Sequence, residues 1–113
     1  MTSEALARRI AEIADSKKAE ALVVLDVRDL VSYTDFLVIC TARNERQAKA
    51  IHDEVYHQLK RAGRLPATVE GEREAAWILM DYLDCIVHIF TPDGRDYYRL
   101  DTLWGELPAL EVG

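Results

Sequence analysis

The sequence has few of the residues that mark secreted or metal-binding proteins. Its 113 residues include only two cysteines, Cys40 and Cys85, and three histidines. These residues show no paired metal-ligand spacing, so no zinc site and no other cofactor is predicted. Both cysteines lie in predicted strands, and we expect buried thiols rather than a disulfide.

Long apolar runs are missing as well. No run approaches the roughly 20 residues that a membrane-spanning helix needs. Residues 1–15 mix acids with bases and contain no apolar stretch of the kind found in signal peptides. We therefore expect a cytoplasmic protein without a membrane partner. The length predicts one domain over residues 1–113.

Positive charge is in the minority. Fourteen basic and 20 acidic residues give a formal net charge of −6. Nucleic-acid affinity comes largely from cationic contacts to phosphate. Because the longest basic runs here are pairs, we expect little direct contact with nucleic acid. An acidic surface instead suits a basic partner.

The common catalytic motifs are absent from the sequence. There is no Gly-rich phosphate loop, no Gly-x-Ser-x-Gly and no His-Glu-x-x-His. Cys85 and His88 stand three apart in one predicted strand, so their side chains point to opposite faces. Asp26 and Asp35 could form a carboxylate pair, but an aspartate facing the turn at each strand end is the preferred interpretation. These features favour a binding protein that is not an enzyme.

One basic group could hold an anion. Arg43, Arg46 and Lys49 surround the start of a predicted helix, where backbone N–H groups attract negative charge. No glycine lies between Ala42 and Asn44 to let a phosphate approach the backbone. A nucleotide site at this position is therefore weakly supported.

Hydrophobic periodicity predicts three helices and four strands. Apolar residues recur at helical spacing in three segments, and short, nearly continuous apolar runs predict buried strands. The order helix–strand–strand–helix–strand–strand–helix predicts an α/β fold, in which helices pack on a mixed β-sheet. The predicted helices are 3–18, 44–62 and 93–107; the strands are 21–27, 35–42, 77–82 and 85–90; and 65–74 is a loop.

Residues 77–90 are the centre of the predicted fold. Two apolar runs flank Leu83 and Asp84, which is typical of a β-hairpin with a two-residue loop. This register places Met80 opposite Val87 on a face suited to burial. Leu83 is a poor residue for the positive φ that such loops need, so a longer connection or a slipped register stays open.

The other face of the hairpin is mixed in character. Such a face is either packed under a helix or kept for a partner, and spacing alone favours neither. Asp81 and His88 can be diagonal neighbours and form a general-base dyad, but a structural hydrogen bond is preferred because no nucleophile accompanies them. The face carries Trp77, Leu79, Asp81, Ile86, His88 and Phe90.

Five linked motifs follow one another along the chain. They are Thr34 to Ile39 with Arg46-Gln47; Glu70-Gly71; Trp77 to Tyr82; Val87 to Phe90; and Arg95 with Tyr98 to Asp101 and Leu103-Trp104. In this order they resemble the Iojap family, the ribosomal silencing factors. The resemblance covers the chain from about Ser3 to Leu107. The chain departs from the family pattern in two places: Thr41-Ala42 stands where Ser-Gly is frequent, and Leu83 where Gly is frequent.

The resemblance implies a nucleotidyltransferase-like topology without that activity. It also implies a translational repressor that binds the large ribosomal subunit through its ribosomal protein fourteen, blocks joining of the small subunit under nutrient limitation, and can form homodimers. The alternative is a nucleotide-binding or nucleotidyltransferase-like enzyme. The residues expected to bind the partner are Trp77, Leu79, Asp81, His88, Phe90, Tyr98, Leu103 and Trp104.

Overall fold

The computed structural model describes residues 1–73 and 75–93 and the backbone of residues 109–110. The predicted third helix lies outside the described residues beyond Asp93. The elements are helix α1 (Ser3–Ser16), strands β1 (Glu20–Asp26) and β2 (Phe36–Thr41), helix α2 (Glu45–Arg61), and strands β3 (Thr68–Glu70), β4 (Trp77–Asp81), β5 (Cys85–Phe90) and β6 (Ala109–Leu110).

The strands form a mixed sheet in the order β3-β4-β5-β2-β1-β6. Strands β2 and β5 are parallel, and the other neighbours are antiparallel. The predicted α/β fold with a mixed sheet is therefore confirmed, whereas the nucleotidyltransferase-like label for its topology stays a prediction. The sequence missed β3, in the predicted loop, and β6, because three and two residues are too few to show periodicity.

Each described helix starts at a side-chain cap. The Thr2 hydroxyl accepts a hydrogen bond from the Ala5 N–H, and the Asn44 side-chain oxygen accepts one from the Gln47 N–H. Such caps satisfy N–H groups that have no partner within the helix. Both helices bury an apolar stripe against the same face of the sheet, so this first face is the main core.

A second, smaller apolar cluster lies on the opposite face of the sheet. It is separate from the core that the two helices cover. Strand β5 contributes to both clusters, because alternate side chains of a strand point to opposite faces. The buried members of the second cluster are Leu25, Val27, Leu37, Ile39, Ile86 and Phe90.

The hairpin register is the predicted one. Met80 pairs with Val87, and the Tyr82 N–H donates to the Cys85 carbonyl oxygen at 2.9 Å. The connection has two residues, as expected, and it forces Leu83 to a φ of +72°. Leu83 is 64% exposed, so little burial offsets this left-handed conformation.

We expect the Leu83→Gly variant to be more stable than the parent chain. Glycine adopts positive φ without a steric penalty, and the net gain is about 1 kcal/mol after the extra entropy of its unfolded state. The matched control is Leu30→Gly, which replaces another exposed leucine at a position without positive φ. Chemical denaturation of the three proteins checks this, and a Leu83→Gly variant as destabilised as the control would contradict it.

Tyr82 carries an uncompensated polar atom in the main core. Its side chain is 1% exposed, and its hydroxyl has no hydrogen-bond partner among the described residues. Burial raises the pKa of this phenol, with a smaller contribution from Tyr56, so the group stays protonated. An unpaired buried hydroxyl costs free energy that its removal recovers.

The Tyr82→Phe variant is therefore expected to be as stable as the parent, or more stable by up to about 1 kcal/mol. Tyr33→Phe is the control, because Tyr33 is 60% exposed and its hydroxyl is open to water. Denaturation midpoints of both variants measure the difference. A loss above about 1 kcal/mol for Tyr82→Phe alone would show that the hydroxyl has a stabilising partner.

Candidate functional site

The mixed face of the hairpin is present as predicted. In the paired strands Trp77 lies opposite Phe90, Leu79 opposite His88, and Asp81 opposite Ile86. Residues directly opposite one another share a face, so these six side chains form one surface. This is the face away from α1 and α2: Ile86 and Phe90 belong to the second apolar cluster, and Trp77 and Leu79 pack against it.

The side chains that β5 and β4 contribute to this surface differ in burial. On β5, Phe90 is 0%, Ile86 8% and His88 9% exposed. On β4, Trp77, Leu79 and Asp81 are partly exposed. The strand β5 lies between β2 and β4, whereas the outer neighbour of β4 is only the three-residue β3. The β5 half is therefore core, and the β4 half forms an exposed margin (Trp77, Leu79 and Asp81).

Three stacked rings connect the exposed margin to the core. The Trp77 ring stacks on Phe90 with centroids 5.3 Å apart and on His88 at 5.8 Å. The His88 and Phe90 rings are nearly parallel, with 5° between the ring planes. Such pairs contribute about 0.5–1.5 kcal/mol beyond the area they bury. The stack holds the partly exposed indole against buried neighbours.

A hydrogen bond also joins the Trp77 and His88 rings. The Trp77 Nε1–H donates to His88 Nδ1 at 3.0 Å. Because the indole nitrogen is only a donor, Nδ1 must be unprotonated and the imidazole proton lies on Nε2. Burial lowers the pKa of His88 to about 4, so the ring is neutral at physiological pH and this acceptor is available.

The dyad between Asp81 and His88 is not the arrangement found. His88 uses Nδ1 for Trp77, and Asp81 Oδ1 accepts a hydrogen bond from the Leu83 N–H at 2.7 Å. The sequence placed Asp81 and His88 on one face, which is correct. Trp77 and Asp81 are both diagonal neighbours of His88, and residue spacing does not determine which of them forms a hydrogen bond with it. In the structure the Trp77 indole does.

The lowered pKa of His88 predicts that stability falls in mild acid. The unfolded histidine titrates near 6.5 and the folded one near 4, so the unfolded state binds more protons between these values. The free energy of unfolding is therefore unaffected by this titration above about pH 6.5, and it decreases by up to about 3 kcal/mol as the pH falls to 4.

The His88→Phe variant lacks this titration and should show a flatter pH profile. The measurement is the free energy of unfolding at half-unit steps from pH 7 to 4, with variant and parent in the same buffers. Carboxylates contribute equally to both proteins, so the difference between the two profiles isolates His88. Parallel profiles would show that His88 is protonated as readily in the folded state as in the unfolded one.

One acidic side chain, that of Glu70, borders the exposed margin. In the register of β3 with β4, Glu70 lies opposite Leu79 and Thr68 opposite Asp81, and both β3 residues are exposed. The margin therefore presents apolar surface beside carboxylates. Such a surface complements a partner that combines apolar groups with basic ones.

Gly71 sets the start of the exposed margin. It has a φ of +79°, and a Cβ at this position would lie 1.9 Å from the Trp77 carbonyl oxygen. Only glycine permits the loop to pass this close to the first residue of β4. The sequence contains a signal for this, Glu70-Gly71, but its role depends on a contact with a strand six residues later.

The other candidates from the sequence do not form a catalytic centre. Asp26 accepts hydrogen bonds from Arg28, whose side chain is the main cause of the lowered pKa of this carboxyl group. Cys40 and Cys85 are buried thiols, as expected. Tyr98, Leu103 and Trp104 lie outside the described residues. In the described ranges no group of three or more potential metal ligands occurs, and no helix could span a membrane.

The predicted anion group is only partly assembled. Arg43 and Arg46 line a cleft at the start of α2, joined there by Lys17 and Lys18 from the end of α1. Lys49 is not among the lining residues. The nearby Gln47 is buried and uses its side-chain amide to bond three backbone groups, which links the two helices.

Comparison with known proteins identifies the family. The family described as ribosomal silencing factor during starvation matches residues 1–113. The chain belongs to the ribosomal silencing factor family. A member from Halalkalibacterium halodurans is 35% identical over 112 residues, which are 99% of this chain and 96% of that protein. The predicted resemblance to this family is thus confirmed.

A solved structure supports the same conclusion for the fold. A protein from Chromobacterium violaceum matches with a TM-score of 0.89 and 32% identity, over 100% of this chain and 95% of that one. A more distant relative from Mus musculus is named mitochondrial assembly of ribosomal large subunit protein 1. It is 28% identical over 91 residues, which are 78% of this chain and 40% of that protein.

Family membership gives the chain its general role. Ribosomal silencing factors are ribosome-associated regulators of translation rather than enzymes. A regulator of this kind needs a recognition surface and no reacting groups. The exposed margin, with its anchored indole and bordering carboxylate, has the composition of such a surface.

Proposed function

We propose that this chain binds the large ribosomal subunit through ribosomal protein fourteen of that subunit and blocks association with the small subunit. Translation is thereby lowered when nutrients are limited. The mechanism is steric and involves no chemical step. The action takes place in the cytoplasm, and a homodimer is a further proposed state of the chain.

The observation that carries the proposal is the exposed margin. Trp77 is partly exposed yet fixed by a hydrogen bond and two ring contacts. A rigid aromatic side chain at an accessible position is the residue type that contributes most to protein–protein binding. Leu79 and Asp81 supply apolar and acidic contacts beside it, which suits a basic ribosomal protein.

The candidate binding residues have different parts in this proposal. Trp77, Leu79 and Asp81 contact the partner. His88 and Phe90 are buried and support the contact surface from the sheet. Tyr98, Leu103 and Trp104, in the C-terminal part of the sequence, are further residues proposed to bind the partner.

Two comparisons support the large subunit as the partner. The chain belongs to a family named for silencing ribosomes. The relative from Mus musculus is named for assembly of the ribosomal large subunit. The acidic balance of the chain, with a net charge of −6, opposes tight binding to exposed ribosomal RNA and favours a protein contact.

Sedimentation tests the proposed function. The purified protein is centrifuged with separated large and small subunits over a salt series, and the reassociation of the two subunits is then followed in its presence. We expect the protein to sediment with large subunits only and to reduce the yield of reassociated ribosomes. Binding to neither subunit, or equal binding to both, would contradict the proposal.

The Trp77→Ala variant is expected to weaken binding to large subunits by about 2 kcal/mol or more, roughly 30-fold, because it removes the anchored aromatic contact. The matched control is Tyr56→Ala. Tyr56 is also partly exposed and packs against a core cluster, but it lies on α2 behind the other face of the sheet.

Both variants lose aromatic packing, so their melting temperatures serve as the folding check. The proposal requires Trp77→Ala to lose affinity at a temperature where it is fully folded, while Tyr56→Ala retains it. Equal affinities of Trp77→Ala and the parent chain would remove the exposed margin from the binding surface.

The enzymatic alternative has less support from the described residues. Of its proposed carboxylates, Asp26 is engaged by Arg28 and Asp81 by the Leu83 backbone. A real nucleotide ligand must raise the melting temperature, because it binds the folded chain only. Melting with millimolar nucleotide and magnesium decides this alternative, and an unchanged melting temperature counts against it.

A further inference from the structure

The orientation of Trp77 is determined by one particular side chain. Trp77 is the first residue of β4 and is partly exposed, so packing does not surround its ring on all sides. Its single polar atom, Nε1, donates to His88 Nδ1 at 3.0 Å. A directed bond to one edge of the indole restricts rotation that stacking alone permits.

His88 is well suited to act as a fixed acceptor. It lies within β5, paired with Leu79 of β4 on one side and with Ile39 of β2 on the other. The residue is 9% exposed, and its ring stacks nearly parallel to that of the fully buried Phe90. The backbone and the ring are thus both constrained, and the acceptor atom has a defined position.

We propose that His88 is the positioning residue of the exposed margin: its Nδ1 holds the Trp77 indole in the orientation that the ribosomal partner contacts. This inference rests on the proposed function and adds a residue that does not itself touch the partner. The physical gain is preorganisation, because an indole already fixed in the free protein loses less conformational freedom on binding.

A purely structural bond would stabilise the fold without affecting recognition. The two roles can be separated by variants that change either the acceptor or the donor. His88→Phe keeps a ring for stacking but removes the acceptor. His88→Asn removes the ring but offers a side-chain oxygen on the same branch position as Nδ1.

The test measures the dissociation constant of the full chain for isolated large subunits, together with its melting temperature. We expect His88→Phe to bind about tenfold more weakly, which is the upper end of the cost of ordering one side chain on binding. We expect His88→Asn to bind within about threefold of the parent, although it loses the stacking contacts. The order of the two variants in affinity for large subunits would then differ from their order in melting temperature, because His88→Phe keeps a stacked ring and His88→Asn does not.

A double-mutant cycle adds a second readout. Trp77→Phe removes the donor, so adding His88→Phe to it should cause little further loss of affinity. Additive losses, or His88→Phe binding as tightly as the parent, would overturn the inference.

If His88→Phe does not fold, benzothienylalanine at position 77 replaces the indole N–H with sulfur in an otherwise similar ring. That protein must show the same tenfold loss, and parent-like affinity would again overturn the inference.

The outcomes for the two proposals are distinguishable. A parent chain that does not bind large subunits overturns the proposed function, and this inference with it. A parent chain that binds, with a His88→Phe variant that binds equally well, overturns the positioning role alone. The indole N–H resonance of Trp77 in the free protein reports independently whether each variant has lost the hydrogen bond.

Discussion

The structure depends on the pairing of β5 with strands on both of its sides. All six residues of β5 are buried, since it lies between β2 and β4 and has apolar clusters on both faces. A strand buried on both faces requires an apolar residue, or a satisfied polar one, at every position. His88 is the one polar side chain in β5, and its acceptor nitrogen Nδ1 is satisfied by the hydrogen bond from Trp77.

The proposed function follows from the unequal covering of the sheet. The two described helices pack on one face, which forms the main core. On the other face, burial decreases from β5 to β4, and the short β3 leaves Trp77, Leu79 and Asp81 partly exposed. The hydrogen bond that satisfies Nδ1 of a buried imidazole also fixes a partly exposed indole. In the proposed function, stability and recognition therefore use one pair of residues.

Much of the fold was predictable because it depends on local patterns. Two apolar runs around Leu83 and Asp84 predicted the hairpin and its register. The observed register is the predicted one, although Leu83 must adopt a positive φ. The caps Thr2 and Asn44 follow the same kind of local rule, because both residue types favour the N-cap position. Strands β3 and β6 were missed because they are too short to show a period and are defined by their pairing.

The candidate site was predictable as a face but not in its details. Alternation placed six side chains together, yet the division between buried and exposed residues depends on which strands flank β4 and β5. The choice of Trp77 over Asp81 as the partner of His88 depends on side-chain rotamers, which spacing does not determine. The role of Gly71 depends on a contact with the Trp77 carbonyl group across a turn.

Site-specific photocrosslinking tests the central claim most directly. A photoreactive amino acid is placed at position 79, within the exposed margin, and in a second protein at position 56, on α2. Each protein is irradiated with isolated large subunits, and the crosslinked component is identified by mass spectrometry. The account predicts a crosslink from position 79 to ribosomal protein fourteen and none from position 56. A crosslink from position 56 alone would show that the chain binds through its helices, and would contradict the account.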